Sequence, residues 1–167
     1  MQRMRHRTRL FLVSLLLVVA ATSACTRAPT EPESLGGQAG SMTATIDGTP
    51  WAATSLNMTQ GSGIVVIQAQ GALSGGNAII SLVMPSSAGT YTLGLVPGVT
   101  GAQGATLSVG GALLWSADTT NGNGSMTLTS LSATKATGTY FLSLAPIVVT
   151  GATGTRVVAS GVFDVNF

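Results

Sequence analysis

Residues 63–84, GIVVIQAQGALSGGNAIISLVM, decide the fold. They hold two apolar runs, Ile64-Val65-Val66-Ile67 and Ala78-Ile79-Ile80-Ser81-Leu82-Val83, parted by Ser74-Gly75-Gly76-Asn77. β-Branched side chains are stiff and pack well on a pleated surface. Neither run recurs at helical spacing, and each is of strand length, so the stretch reads as two strands with a turn between them. A Gly- and Ser-rich chain of this kind could be disordered, but disordered segments lack such runs.

Working outward, the same pattern repeats on both sides. Residues 42–47, MTATID, put Met42, Ala44 and Ile46 on one face, and Asp47-Gly48-Thr49-Pro50 is turn chemistry. Trp51 then opens WAATSLNM as the second strand of a hairpin, which Gly61-Ser62-Gly63 ends. After Pro85, AGTYTLGLVP (88–97) and TGTYFLSLAP (137–146) share the form G-T-Y-x-L-x-L-x-P. Period 2 aligns Tyr91, Leu93 and Leu95 in the first, and Tyr140, Leu142 and Leu144 in the second. Without a sustained period this is one strand chemistry used twice, not an internal repeat. Between them, ATLSVGGALLWSAD reads as a strand interrupted at Gly110-Gly111 by a bulge. The Asn-Gly-containing TTNGNG is a hairpin turn, and SMTLTSL follows it. RVVASGVFDVNF closes the chain with Phe163, Val165 and Phe167 expected in the core. Residues 41–167 thus read as one all-β domain, an antiparallel β-sandwich or barrel-like sandwich of about eight to ten strands.

The first forty residues differ in kind. Arg3, Arg5, Arg7 and Arg9 precede Leu10–Ala21, LFLVSLLLVVAA, a run well short of the about 20 apolar residues that cross a bilayer. A basic start, a short apolar stretch and small residues after it are the layout of a secretory signal peptide, residues 1–24. Thr22-Ser23-Ala24-Cys25 resembles the lipobox of bacterial lipoproteins, with Thr22 in place of the usual aliphatic residue. That resemblance implies cleavage between Ala24 and Cys25 and acylation of Cys25, the chain's one cysteine. A lone thiol in an oxidising compartment is reactive and seldom kept without use. Two or more acyl chains hold a protein stably on a membrane that it does not span. Residues 25–40 carry Pro29, Pro32 and three glycines, a flexible linker composition. Thr26 is not the aspartate of inner-membrane retention, which favours the outer membrane by analogy and leaves its periplasmic and surface faces both open.

Charge and residue inventory exclude several classes. With the leader set aside, residues 41–167 carry Asp47, Asp118 and Asp164 against Lys135 and Arg156. Two isolated cations cannot neutralise a run of phosphates, so nucleic acid is not a partner. The only histidine, His6, lies in the leader, and no glutamate follows residue 40. That leaves no imidazole base, no His-ligated metal and only three carboxylates for acid–base work. Ser132-Ala133-Thr134-Lys135 matches S-x-x-K, but that chemistry needs a helix to bring the two together, and the segment lies between strands. Asp118, Asn121 and Asn123 miss calcium-loop spacing by one residue and lack the closing glutamate. No catalytic residue, metal or cofactor is expected. Trp51, Trp115, Tyr91 and Tyr140 are the candidate ligand-binding rings, for a sugar or a peptide; the competing role for each is core filling.

In order, the chain presents the lipobox leader, Ile46-Asp47-Gly48-x-x-Trp51, Pro85-x-x-x-Gly89-Thr90-Tyr91, Gly138-Thr139-Tyr140 and Gly161-x-Phe163-Asp164-Val165. This resembles the domain-of-unknown-function lipoproteins common in Bacteroidota and related bacteria, over nearly all of residues 41–167. The resemblance implies a small secreted β-domain on a lipid anchor and no assigned activity. The expected function is a lipid-anchored, non-catalytic envelope module, structural or interacting, with a carbohydrate- or peptide-binding lipoprotein as the alternative.

Overall fold

Asp47 and Gly48 both take positive φ, +47° and +82°, and Ile46 pairs with Thr49 across them. Such two-residue loops match the right-handed twist of the strands they join. A computed structural model describes residues 39–95 and 101–167. The expected signal peptide, its cleavage site at Ala24, the acylated Cys25 and nearly all of the linker lie outside the described residues. The first hairpin joins β1 (Gly40–Ile46) to β2 (Thr49–Ala52).

The chain then forms β3 (Ser55–Gly61), β4 (Ile64–Leu73), β5 (Gly76–Pro85), β6 (Gly89–Leu93), β7 (Gly104–Val109), β8 (Leu113–Ala117), β9 (Asn123–Leu131), β10 (Lys135–Pro146) and β11 (Arg156–Asn166). A short 3-10 turn, Val148–Thr150, precedes β11. All pairings are antiparallel, and the eleven strands make one sheet that does not close. The sheet folds on itself in a sandwich-like way. One half runs β6-β9-β10-β11-β1-β2 and the other β3-β4-β5-β7-β8. β10 belongs to both: residues 135–143 lie between β9 and β11, and Ala145 and Pro146 pair with Ser116 and Trp115 of β8.

Alternation places the core between the halves. Val65, Ile67 and Ala69 of β4 face Ala78, Ile80, Leu82 and Met84 of β5 inward, and Tyr140, Leu142 and Leu144 of β10 do the same opposite Phe163 and Val165. β11 carries a bulge, since Tyr140 pairs with Gly161 but Leu142 with Val158, and Ser160 takes φ +52°. The extra residue keeps both Val158 and Phe163 in the core.

The structure departs from the sequence reading at six points. The first is TTNGNG, which is not a hairpin turn: it carries the chain from β8 to β9, and those strands pair with other neighbours and not with each other. There are eleven strands, not eight to ten. WAATSLNM is two strands, because the chain leaves β1's neighbour at Ala53, whose N–H bonds the Met42 carbonyl, and Thr54 N–H already bonds Gln70 on β4. Gly110-Gly111 is a turn and not a bulge: Val109 pairs with Leu113, and the two glycines take φ +62° and +76°. Leu95 does not share the face of Tyr91 and Leu93; β6 stops at Leu93, Gly94 turns at φ +110°, and Leu95 is exposed. Phe167 lies past the end of β11 and is exposed, its N–H bonding the Thr134 carbonyl.

Candidate functional site

The rings are the natural place to look for a binding surface, and three of the four are buried. Trp51, Trp115 and Tyr140 are 3%, 1% and 4% exposed. Trp51 reaches from β2 across to β4, where its indole lies over Gly71 and its buried N–H has no hydrogen-bond partner. Trp115 donates its indole N–H to the Gly154 carbonyl at 2.9 Å, and the Arg156 guanidinium sits 4.8 Å above its ring. A cation on the ring face and a carbonyl at the N–H leave that indole no free recognition group. Tyr140 lies flat against Gly161, and its hydroxyl donates to the Thr43 carbonyl at 3.3 Å. Burial raises its pKa above the ordinary tyrosine value. Tyr91 is half-buried against the core and donates its hydroxyl to the Ser87 carbonyl, closing the link from β5 to β6. Their part in the structure is packing, so a ligand face cannot be built from Trp51, Trp115 and Tyr140.

Each aspartate is held by its own neighbours. Asp47 accepts from Val157 N–H at 2.8 Å and from Arg156 at 2.5 Å, tying the β1–β2 turn to the start of β11. Asp164 pairs with Lys135 at 2.9 Å across β11 and β10. The two contacts with β11 are seven residues apart, or about 20 Å at strand rise, beyond the separation of a glycosidase pair. Asp118 Oδ1 accepts from Thr120 N–H at 2.6 Å, Thr120 Oγ1 at 2.7 Å and Asn121 N–H at 2.8 Å. The Thr120 hydroxyl chiefly holds this carboxyl below its ordinary value, against a smaller opposing effect of burial. Among the described residues, no group of three or more His, Cys, Asp or Glu side chains could hold a metal ion.

Of the S-x-x-K match, Ser132 lies in the β9–β10 turn and Lys135 opens β10. Ser132 N–H and Oγ both bond the Lys135 carbonyl, while the lysine amine reaches Asp164 instead. The serine therefore lacks the contact with the amine that acyl transfer would need. A shallow depression of about 130 Å³ opens between Ser81, Val83, Thr106 and Ser116 on the outer face of β5, β7 and β8. Among the described residues, Asp118 is the only ionisable side chain lining it.

What the surface offers instead is an apolar patch that the ring inventory missed. Phe141, Val157 and Val162 are 47%, 39% and 49% exposed, on the outer face of β10 and β11. Val162 pairs with Thr139 on one side and Thr43 on the other, and Val157 pairs with Ser143. Thr139 in turn pairs with Thr127, whose hydroxyl bonds Thr90 at 3.0 Å. The patch is thus set among hydroxyls, in a region whose nearest charges are already paired. Its sequence signal was the period of two: Phe141 follows the inward Tyr140 and must point out. Among the described residues no helix is long and apolar enough to cross a membrane. No protein-family model, curated protein or solved structure matches the chain.

Proposed function

We propose that the protein is a lipid-anchored, non-catalytic lipoprotein of the bacterial cell envelope, on the outer membrane, working as a structural or interaction module. The observation that carries this reading is Cys25, the chain's one cysteine, placed after Thr22-Ser23-Ala24 and a basic, short apolar leader. The resemblance to lipoproteins of the domain-of-unknown-function class belongs to the same reading. The domain's side chains support it from a second direction. Asp47 and Asp164 are committed to ion pairs, and Asp118 to its own loop. The carbohydrate-binding alternative loses support with the burial of Trp51, Trp115 and Tyr140.

The test is the intact mass of protein extracted from membranes, with Cys25→Ser expressed alongside. The expected mass is that of residues 25–167 plus acyl chains, and the variant is expected to leave the membrane fraction. An unmodified mass with soluble protein would overturn the anchor.

A further inference from the structure

We infer that the outer face of β10 and β11, centred on Phe141, Val157 and Val162, docks on the surface of the bilayer that holds the anchor. The inference rests on the lipid-anchor reading above and specifies how the domain sits on that membrane. Exposed aliphatic and aromatic side chains clustered on one sheet face call for an apolar or interfacial partner. Three features of the chain select lipid.

The first is where the chain enters. Ala39 and Gly40 lead into β1, and Gly40 pairs with Val165 of β11, the strand that carries Val157 and Val162. The patch therefore lies on the strand next to the one the linker feeds. Residues 26–39 can span at most about 3.3–3.6 Å each, ample for this face to turn onto the bilayer.

The second is charge. The patch is bordered by Thr43, Thr139 and Ser143, and the charged groups on this half of the sheet are Lys135 with Asp164 and Arg156 with Asp47. Each pair is neutral as a unit, so the face can approach the headgroup region without desolvating an unpaired charge. Phe and aliphatic side chains gathered on one face are the kind that enter the boundary between headgroups and acyl chains.

The third is tethering. A short linker sets an effective concentration of order mM, so a patch too small to capture a free partner is enough for a surface always at hand. A stable protein interface instead buries about 800 Å² per partner, well beyond three half-exposed side chains.

The experiment uses acylated protein in vesicles of phosphatidylethanolamine and phosphatidylglycerol at 3:1. An environment-sensitive fluorophore is placed by Thr43→Cys beside the patch, or by Gln68→Cys on the outer face of β4. Both positions are exposed, and acylation of Cys25 leaves the new thiol as the only one. Nitroxide-bearing lipid is expected to quench the Thr43→Cys label at least threefold more than the Gln68→Cys label. Adding Phe141→Ser and Val162→Ser, both at exposed positions, is expected to remove the difference. Equal quenching of the two labels, with the protein still acylated and floating with the vesicles, overturns the docking and leaves the anchor standing. Shielding of the Thr43→Cys label from aqueous iodide without lipid quenching means that a second copy covers the face, which also overturns it. A protein without acyl chains that does not float overturns the anchor and the docking together.

Discussion

Gly138 and Gly161 sit opposite Phe163 and Tyr140 in the β10–β11 ladder, and each ring lies over the glycine it faces. The rings are 6.5 Å apart between centroids. A Cβ on Gly161 would come within 2.5 Å of the Tyr140 ring, and one on Gly138 would collide with the Thr127 carbonyl and the Phe163 ring. This is why G-T-Y and G-x-F-D-V stand where they do: an aromatic side chain covers a cross-strand glycine and restores the packing that the glycine lacks. Gly138→Ala is expected to cost about 3 kcal/mol, at the upper end of overpacking, read as a lowered urea midpoint. A change below about 1 kcal/mol would mean that the ring does not lie there. Tyr140 makes a second, pH-dependent test. Its folded pKa is raised by burial, so its contribution is fully present below the unfolded tyrosine value of about 10 and is lost as pH rises past it. Tyr140→Phe should flatten that alkaline loss while costing about 0.5–1 kcal/mol for the hydroxyl bond to Thr43. Chemical unfolding at pH 8 and at pH 10.5 and above compares the two proteins.

β10 is the element on which the two halves of the sheet depend. Its first three quarters complete a six-strand array, and its last residues carry the sheet over to β8. Leu142 and Leu144 sit where it passes between the halves and are fully buried. Leu144→Ala is expected to cost about 2–5 kcal/mol through lost burial and the cavity left behind. Thermal or urea unfolding would show it, and a near-neutral result would mean that the halves hold together without this strand. The sequence displayed the strand's apolar face and its proline stop, but not its double membership. Two ladders on one strand look the same as one, because side-chain alternation does not record which neighbour takes the hydrogen bonds. The split of WAATSLNM into β2 and β3 was hidden for the same reason. Trp51, Leu56 and Met58 are all buried, and nothing in their apolarity marks the change of sheet at Ala53–Thr54.

At the scale of the molecule, stability rests on burial and ladder bonding, with electrostatics a minor part. Residues 41–167 carry five charged side chains, four of them in the two ion pairs. Partly exposed pairs contribute about 0.2–1 kcal/mol each, and added salt screens them. Raising sodium chloride to 0.5 M is expected to lower stability by less than about 1 kcal/mol, measured by urea unfolding. A loss several times larger would point to a charge network that the ion pairs do not account for. The sequence by itself determined the all-β class, the strand faces except at the strand ends Leu95 and Phe167, and the turns at Asp47-Gly48 and Ser74-Gly75, because these follow from side-chain alternation and local backbone preference. The expectation of a leader and a lipobox likewise comes from residue order alone. Only the tertiary structure decided that Trp51, Trp115 and Tyr140 fill the core, that Phe141, Val157 and Val162 come together on one outer face, and that the aspartates are held apart, two in ion pairs and Asp118 in its own loop. Those outcomes depend on which distant strand lies against each face, a long-range choice that no local stretch contains.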